Sequence, residues 1–164
     1  RDLAVIDRST RGSLDGGGQA DTLVVDAFGS GGVKGTARVD LRTGRTFLAG
    51  HRLSTTSFTR LSLMGFAENT VRGTAAGNWL WVQGCRATIH AGGGADEVGF
   101  RGERNGCQAV PEADRSLTAY GEAGPDDLRG HLGDDVLIGG PGKDLVKGGV
   151  GTDVCSAETE IACP

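Results

Sequence analysis

The chain has 164 residues, a formal net charge of −4, 30 glycines and only 5% aromatic residues. That length suits one domain, and the acidic balance argues against nucleic acid as a partner. So few large side chains cannot fill a broad globular core, and no stretch approaches the roughly eighteen apolar residues of a membrane-spanning helix. The chain begins at Arg1 without an initiator Met or a signal-peptide pattern, as expected of a mature or excised fragment.

A nine-residue unit recurs along the sequence: glycine at positions 1 and 4, an acid or amide at 6, an apolar residue at 8. Its first copy is GGGQADTLV (16–24), with Asp21 at position 6, Leu23 at 8 and Gln19 in place of the second glycine. TARVDLRTGRTFLAG (36–50) and SFTRLSLMGFAEN (57–69) alternate as longer strands. Residues 1–63 are expected to form wider coils or a β-rich N-terminal cap, with 28–35 as a surface loop.

From residue 64 the period becomes continuous. MGFAENTVR (64–72), GTAAGNWLW (73–81), VQGCRATIH (82–90), AGGGADEVG (91–99) and FRGERNGCQ (100–108) place Asn69, Asn78, Asp96 and Asn105 at position 6. Val71, Leu80, Ile89 and Cys107 fall at position 8. Asn for Asp in three of the five copies predicts a largely metal-poor β-helix, with Asp96 its best ligand and Asn78, eighteen residues earlier, in the layer below. Trp79 and Trp81 flank the inward Leu80 and so point outward. They form either a stacking platform for a cell-surface glycan or protein partner, or a patch covered by the N-terminal segment; by the eighteen-residue step, Leu61 and Leu63 share their face. Residues 109–120 are not a multiple of nine and contain Pro111, which predicts a loop or bulging insertion.

The unit is most regular at the end: GEAGPDDLR, GHLGDDVLI, GGPGKDLVK and GGVGTDVCS fill 121–156 without a gap. Asp126, Asp135, Asp144 and Asp153 hold position 6; Leu128, Leu137, Val146 and Cys155 hold position 8. Glycines without Cβ permit turns closed to other residues, and position 8 gives a short strand with one inward side chain. Nine residues make half a coil, and two repeats make a coil whose neighbours stack at about 4.8 Å. Asp126 then lies one layer from Asp144, and Asp135 one layer from Asp153. Stacked carboxylates repel unless a cation joins them, and tight turns leave carbonyl oxygens to complete a shell of about six to eight oxygens. The candidate donors are those four aspartates, Asp96, Asn78 and Asp21, with main-chain oxygens of Gly121, Gly130, Gly133, Gly139, Gly140, Gly142, Gly148, Gly149 and Gly151. Val136, Ile138 and Val154 point outward along the terminal coils.

The four copies at 121–156 resemble the RTX, or haemolysin-type, calcium-binding nonapeptide repeat. VDLRTG…LSLMGFAENTVRG (39–73) resembles a segment that often precedes such repeats, and GTDVCSAETEIACP the disulfide-closed tail of secreted actinobacterial members. The resemblance implies an all-β fold, a right-handed parallel β-helix or β-roll solenoid of nine-residue half-coils. It implies several Ca²⁺ ions and a secreted or cell-surface location, without implying catalysis. Calcium binding is then expected to drive folding. Four cysteines in such a protein are expected to pair as Cys85–Cys107 and Cys155–Cys163, the second closing the tail 157–164 as a cap; free buried thiols are the alternative.

Other chemistries find little support. His51, His90 and His131 share no layer face, so a zinc or catalytic cluster is not expected. No G-x-S-x-G elbow occurs, GGPGKD (139–144) lacks the Ser/Thr and spacing of a phosphate loop, and no EF-hand loop is present. The leading expectation is a non-enzymatic calcium-binding module. Its competitors are a recognition or adhesion module using Trp79 and Trp81, the non-catalytic end of a larger secreted hydrolase, and an enzyme with its site in 1–63.

Overall fold

The structure is a computed structural model that describes residues 2–18, 20–27, 35–102, 107, 110–111 and 114–163. Its strands are β1 (Leu3–Ile6), β2 (Gly12–Asp15), β3 (Asp21–Asp26), β4 (Thr36–Asp40), β5 (Arg45–Leu48), β6 (His51–Thr56), β7 (Phe58–Arg72), β8 (Trp79–Gly93), β9 (Glu97–Gly102), β10 (Ser116–Ala123), β11 (Asp127–Arg129), β12 (Val136–Ile138), β13 (Leu145–Lys147), β14 (Val154–Ser156) and β15 (Thr159–Ile161). All pair into one open sheet that winds as a β-roll, and no α-helix occurs among the described residues.

The winding produces two faces. On one, β1, β3, the first half of β7, the first half of β8, β9, β11, β13 and β15 pair in parallel. On the other, β4, the second halves of β7 and β8, then β10, β12 and β14 do the same. Between the faces, one apolar residue per short strand builds a ladder: Leu61, Leu80, Val98, Leu128 and Val146 on the first face, Val71, Ile89, Ala119 and Leu137 on the second, all fully buried. In β11, β12 and β13 the residues at positions 7 and 9 are only half-buried, as the alternation predicts.

The long strands β7 and β8 each serve both faces by bending. In β7 the register shifts between Met64 and Phe66, where Gly65 adopts φ 88°. That bulge re-phases the strand, so Leu61, Leu63, Phe66 and Val71 all point inward. Leu61 pairs with Leu80 and lies in the core. The expectation that Leu61 and Leu63 lie outward beside the tryptophans is therefore corrected: the bulge makes this step nineteen residues, and Arg60 and Ser62 pair with Trp79 and Trp81.

The N-terminal residues contribute coils as well as an addition. β1 stacks on β3, and β3 and β4 stack on the two halves of β7. The expected long strand over 36–50 is instead β4 and β5, a hairpin turned at Leu41–Gly44. β6 continues antiparallel to β5, and β2 adds in parallel at the sheet's edge. Buried Thr46 and Thr55 satisfy each other across this addition, their hydroxyl oxygens 2.7 Å apart.

One coil of the repeat region, from residue 73 onward, is longer than its neighbours. The step from Asp96 to Asp126 is 30 residues, where neighbouring steps are 18. The twelve extra residues lie within 100–117, so two expectations are corrected. Ser116–Tyr120, read as part of a loop, belongs to β10. Ala119, not Cys107, takes the core place above Ile89. Cys107 is buried and bonded to Cys85, at the bend of β8, and the Arg115 guanidinium donates to the Cys107 and Val110 carbonyls. The period breaks here because Cys107 is held to Cys85 by a disulfide and Ala119 fills the ladder in its place. Asn105 lies outside the described residues, as does Gln19.

Candidate metal centre

The turns between strands stack along two edges. The first edge carries 73–78, 91–96, 121–126 and 139–144. The second carries 130–135 and 148–153. The residue at position 6 of each turn is buried: Asn78, Asp96, Asp126 and Asp144 on the first edge, Asp135 and Asp153 on the second. The four aspartates of the regular repeats therefore separate into two stacked pairs.

One carboxylate oxygen of each aspartate is used between layers. The Asp126 amide donates to Asp144 Oδ1 at 2.9 Å, the Asp96 amide to Asp126 Oδ1 at 2.9 Å, and the Asn78 amide to Asp96 Oδ1 at 2.6 Å. On the second edge the Asp135 amide donates to Asp153 Oδ1 at 3.0 Å and the Leu117 amide to Asp135 Oδ1 at 2.6 Å. The ladder continues upstream of the regular repeats, where Asn78 Nδ2 donates to the Thr59 carbonyl.

The second oxygen is different. Oδ2 of Asp96, Asp126, Asp144 and Asp153 is buried without a hydrogen-bond donor. Burying an ionised oxygen unpaired is costly. Asp135 Oδ2 alone among these receives one, from the His131 amide at 2.9 Å. Burial is the first cause that pushes the carboxyls of Asp96, Asp126 and Asp135 up to about 6; amide donors oppose it, and the stacked neighbouring carboxylate adds to it.

The glycines at position 1 border these oxygens. A Cβ on Gly121, Gly130, Gly139 or Gly148 would collide with Oδ2 of the aspartate in its own turn. At Gly121 and Gly130 it would also strike the position-1 carbonyl oxygen of the next layer, from Gly139 and Gly148 respectively. A Cβ on Gly142 would meet the Gly124 carbonyl oxygen and Asp144 Oδ1, and one on Gly151 the Gly133 carbonyl oxygen. Each turn thus leaves a small space bounded by carboxylate and carbonyl oxygens of two layers. Gly140 and Gly149 adopt φ 106° and 122°; a Cβ on either would strike the position-2 carbonyl oxygen of the layer before, from Glu122 and His131 respectively.

This donor set fits a hard divalent cation, which selects oxygens and tolerates a mixture of carboxylate and carbonyl. Among the described residues no three Asp, Glu, His or Cys side chains converge. The other oxygens that border these spaces are main-chain carbonyls, those of Gly124, Gly133, Gly139 and Gly148 among them. His90 bonds Glu122 at 3.0 Å and stacks on Tyr120.

The expected donors are not equivalent. Asp126 with Asp144, and Asp135 with Asp153, occupy glycine-bounded spaces. Asp96 joins the first edge with Asn78 beneath it, but position 1 of its turn is Ala91, whose methyl stands where the other repeats have none. Asp21 is buried and accepts from the Asp2 amide at 2.5 Å. A layer without an acid, Phe58–Thr59, separates it from Asn78, so the structure does not bring it to the other donors. Trp79 and Trp81 lie on the outer first face, half-buried, ring centroids 5.6 Å apart.

The periodic reading missed Glu158. Its carboxylate accepts the Asp144 amide at 2.9 Å, across a step of 14 residues instead of 18, so no nine-residue register reaches it. Only its tail position, beside a cysteine pair, signalled it.

Residues 120–155 match the family model of the RTX calcium-binding nonapeptide repeat, in four copies. RTX nonapeptide repeats bind Ca²⁺, several ions to an array. No curated protein matches the chain.

Proposed function

We propose that this chain, whose residues 120–155 are RTX calcium-binding nonapeptide repeats, is a secreted, non-catalytic module whose C-terminal coils fold as calcium binds. The observation that carries this reading is the set of buried, donor-free Oδ2 atoms of Asp126, Asp144 and Asp153 beside position-1 glycines. Asp126 and Asp144 are the carboxylate ligands of the first edge, Asp135 and Asp153 those of the second. Carbonyls of the intervening glycine turns complete the shells. Asp96 and Asn78 extend the first edge as a weaker layer, and Asp21 stands apart from them.

When bound, calcium supplies the positive charge that stacked carboxylates need to remain ionised in a dry turn. The chain supplies the geometry: each Oδ1 is fixed by an amide of the neighbouring layer, leaving Oδ2 of Asp126, Asp144 and Asp153 without a donor and open to the ion. None of this exists in an unfolded chain, so binding and folding are coupled. Two disulfides favour an oxidising compartment, where calcium is near millimolar. The whole chain acts as one continuous domain, with 1–63 as its N-terminal coils and cap. Exhaustive dialysis against EDTA is expected to lower the melting temperature and the β circular dichroism signal, more strongly after reduction. An unchanged melt in both redox states overturns the reading.

A second reading is favoured by one observation. Trp79 and Trp81 border a shallow groove of about 160 Å³ with Ser62, Met64, Val82 and Gln83, an aromatic surface edged by polar groups suited to a sugar or a protein loop. Equal glycan-array binding by the parent and Trp81→Ala argues against it.

A further inference from the structure

The chain does not stop where its repeats do. Residues after Ser156 return beneath β13, and Leu145, Val146 and Lys147 pair in parallel with Thr159, Glu160 and Ile161. This register sets Glu158 opposite Asp144 and Ala162 opposite Gly148. Both tail residues reproduce contacts that repeats make with one another. The Asp144 amide donates to Glu158 Oε2 at 2.9 Å, as the Asp126 amide donates to Asp144 Oδ1. The Gly148 amide donates to the Ile161 carbonyl at 3.1 Å, as the Gly130 amide donates to Lys147. The Ala162 carbonyl oxygen borders the space beside Gly148 together with Asp153 Oδ2, as the Gly148 carbonyl does beside Gly130 with Asp135 Oδ2.

We infer that residues 156–163 are a shortened coil that completes the last calcium layer on both edges, with Glu158 as the carboxylate donor beside Asp144 and the Ala162 carbonyl as a donor beside Asp153. Glu158 carries one more methylene than aspartate and reaches the same amide from a coil four residues shorter. The oxygens that need the ion are already in place: Asp144 and Asp153 are 2% and 7% exposed, and Oδ2 of each lacks a donor. Ala162 holds φ 48°, a conformation rarely adopted by a residue with a Cβ. Its neighbour Cys163 is bonded to Cys155, which takes the core position of the last repeat. The disulfide therefore tethers the donor segment, and reduction releases both donors together. The last ion on each edge becomes redox-sensitive, while the inner layers do not.

This inference rests on the calcium reading above, and one experiment separates the two. Calcium is titrated calorimetrically into the full chain: parent, Glu158→Gln, and the double variant Cys155→Ser with Cys163→Ser. Glutamine keeps an oxygen for the Asp144 amide but loses the charge. Glu158→Gln is expected to lose one ion, or to weaken its weakest site at least ten-fold, while hydrogen exchange still protects the Asp144 amide. The double variant is expected to lose or weaken two. Equal stoichiometry and affinity in all three proteins overturns the terminal coil and leaves the repeats' role intact. No heat of binding in the parent overturns the calcium reading itself, and the inference with it. Loss of an ion accompanied by loss of Asp144 protection in Glu158→Gln also overturns it, since Glu158 is then only a cap.

Discussion

The carboxyl groups of Asp96, Asp126 and Asp135 carry the sharpest prediction at the scale of single residues. Each sits near 6 when folded against an ordinary 3.8, chiefly because it is buried. A group that holds its proton more tightly when folded favours the folded state at low pH. Without calcium, stability is therefore highest near pH 3.8 and falls as pH rises toward about 6, then levels off. Asp7, Asp15 and Glu158 are shifted the other way by hydrogen bonds they accept, so their contribution is lost below their ordinary values. With calcium in excess the trend between pH 3.8 and 6 reverses, because protons compete with the ion for the same oxygens. Melting temperatures across that range, in EDTA and in calcium, check the crossing. A second prediction concerns Gly139, whose φ is ordinary but whose missing Cβ leaves room for Asp144 Oδ2. Gly139→Ala is expected to destabilise the calcium-loaded protein by about 1–3 kcal/mol, as overpacking does, and to weaken calcium binding. Gly18→Ala, with open space around it, is the matched control and is expected to change neither.

Among the elements, the short strands stand on very little. β11, β12 and β13 are three residues each, and each buries one apolar side chain. Leu137→Ala is expected to cost roughly 2–5 kcal/mol, read as a fall in the denaturation midpoint in calcium. These strands were the most legible part of the sequence, because a fixed glycine–aspartate–apolar spacing sets turn, ligand and core position together. The ladder through Asp96 and Asn78 was legible for the same reason. The bend of β7 was not: a bulge at Met64–Phe66 moves side chains between faces without any change in composition. The long coil misled for a related reason. FRGERNGCQ has an apolar cysteine at the right spacing, yet Cys107 serves a disulfide and Ala119 fills the ladder. Of the site, the tail donors were hidden because a 14-residue step breaks the period that revealed the others.

Across the whole molecule, the two ends are stabilised differently. The N-terminal coils bury Phe58, Phe66, Leu23, Leu48, Leu61 and Leu63. The C-terminal coils bury four aspartates among far fewer large apolar groups. Hydrophobic burial persists in a chelator, whereas dry carboxylates without a cation oppose folding. Hydrogen exchange after calcium removal is expected to show lost protection over 121–161 and retained protection in β3, β7 and β8. Uniform loss along the chain argues against this division.

Because the coils stack in chain order, the order of charges in the sequence becomes an order in space. Residues 1–120 carry 14 basic and 12 acidic side chains, and residues 121–164 carry 3 and 9. The molecule is therefore an electric dipole along its winding axis, faintly positive where the chain begins and strongly negative where it ends. Three bound divalent cations would cancel the negative end. Filling the last coils changes how the protein orients in the field of a charged surface, quite apart from how firmly it is folded.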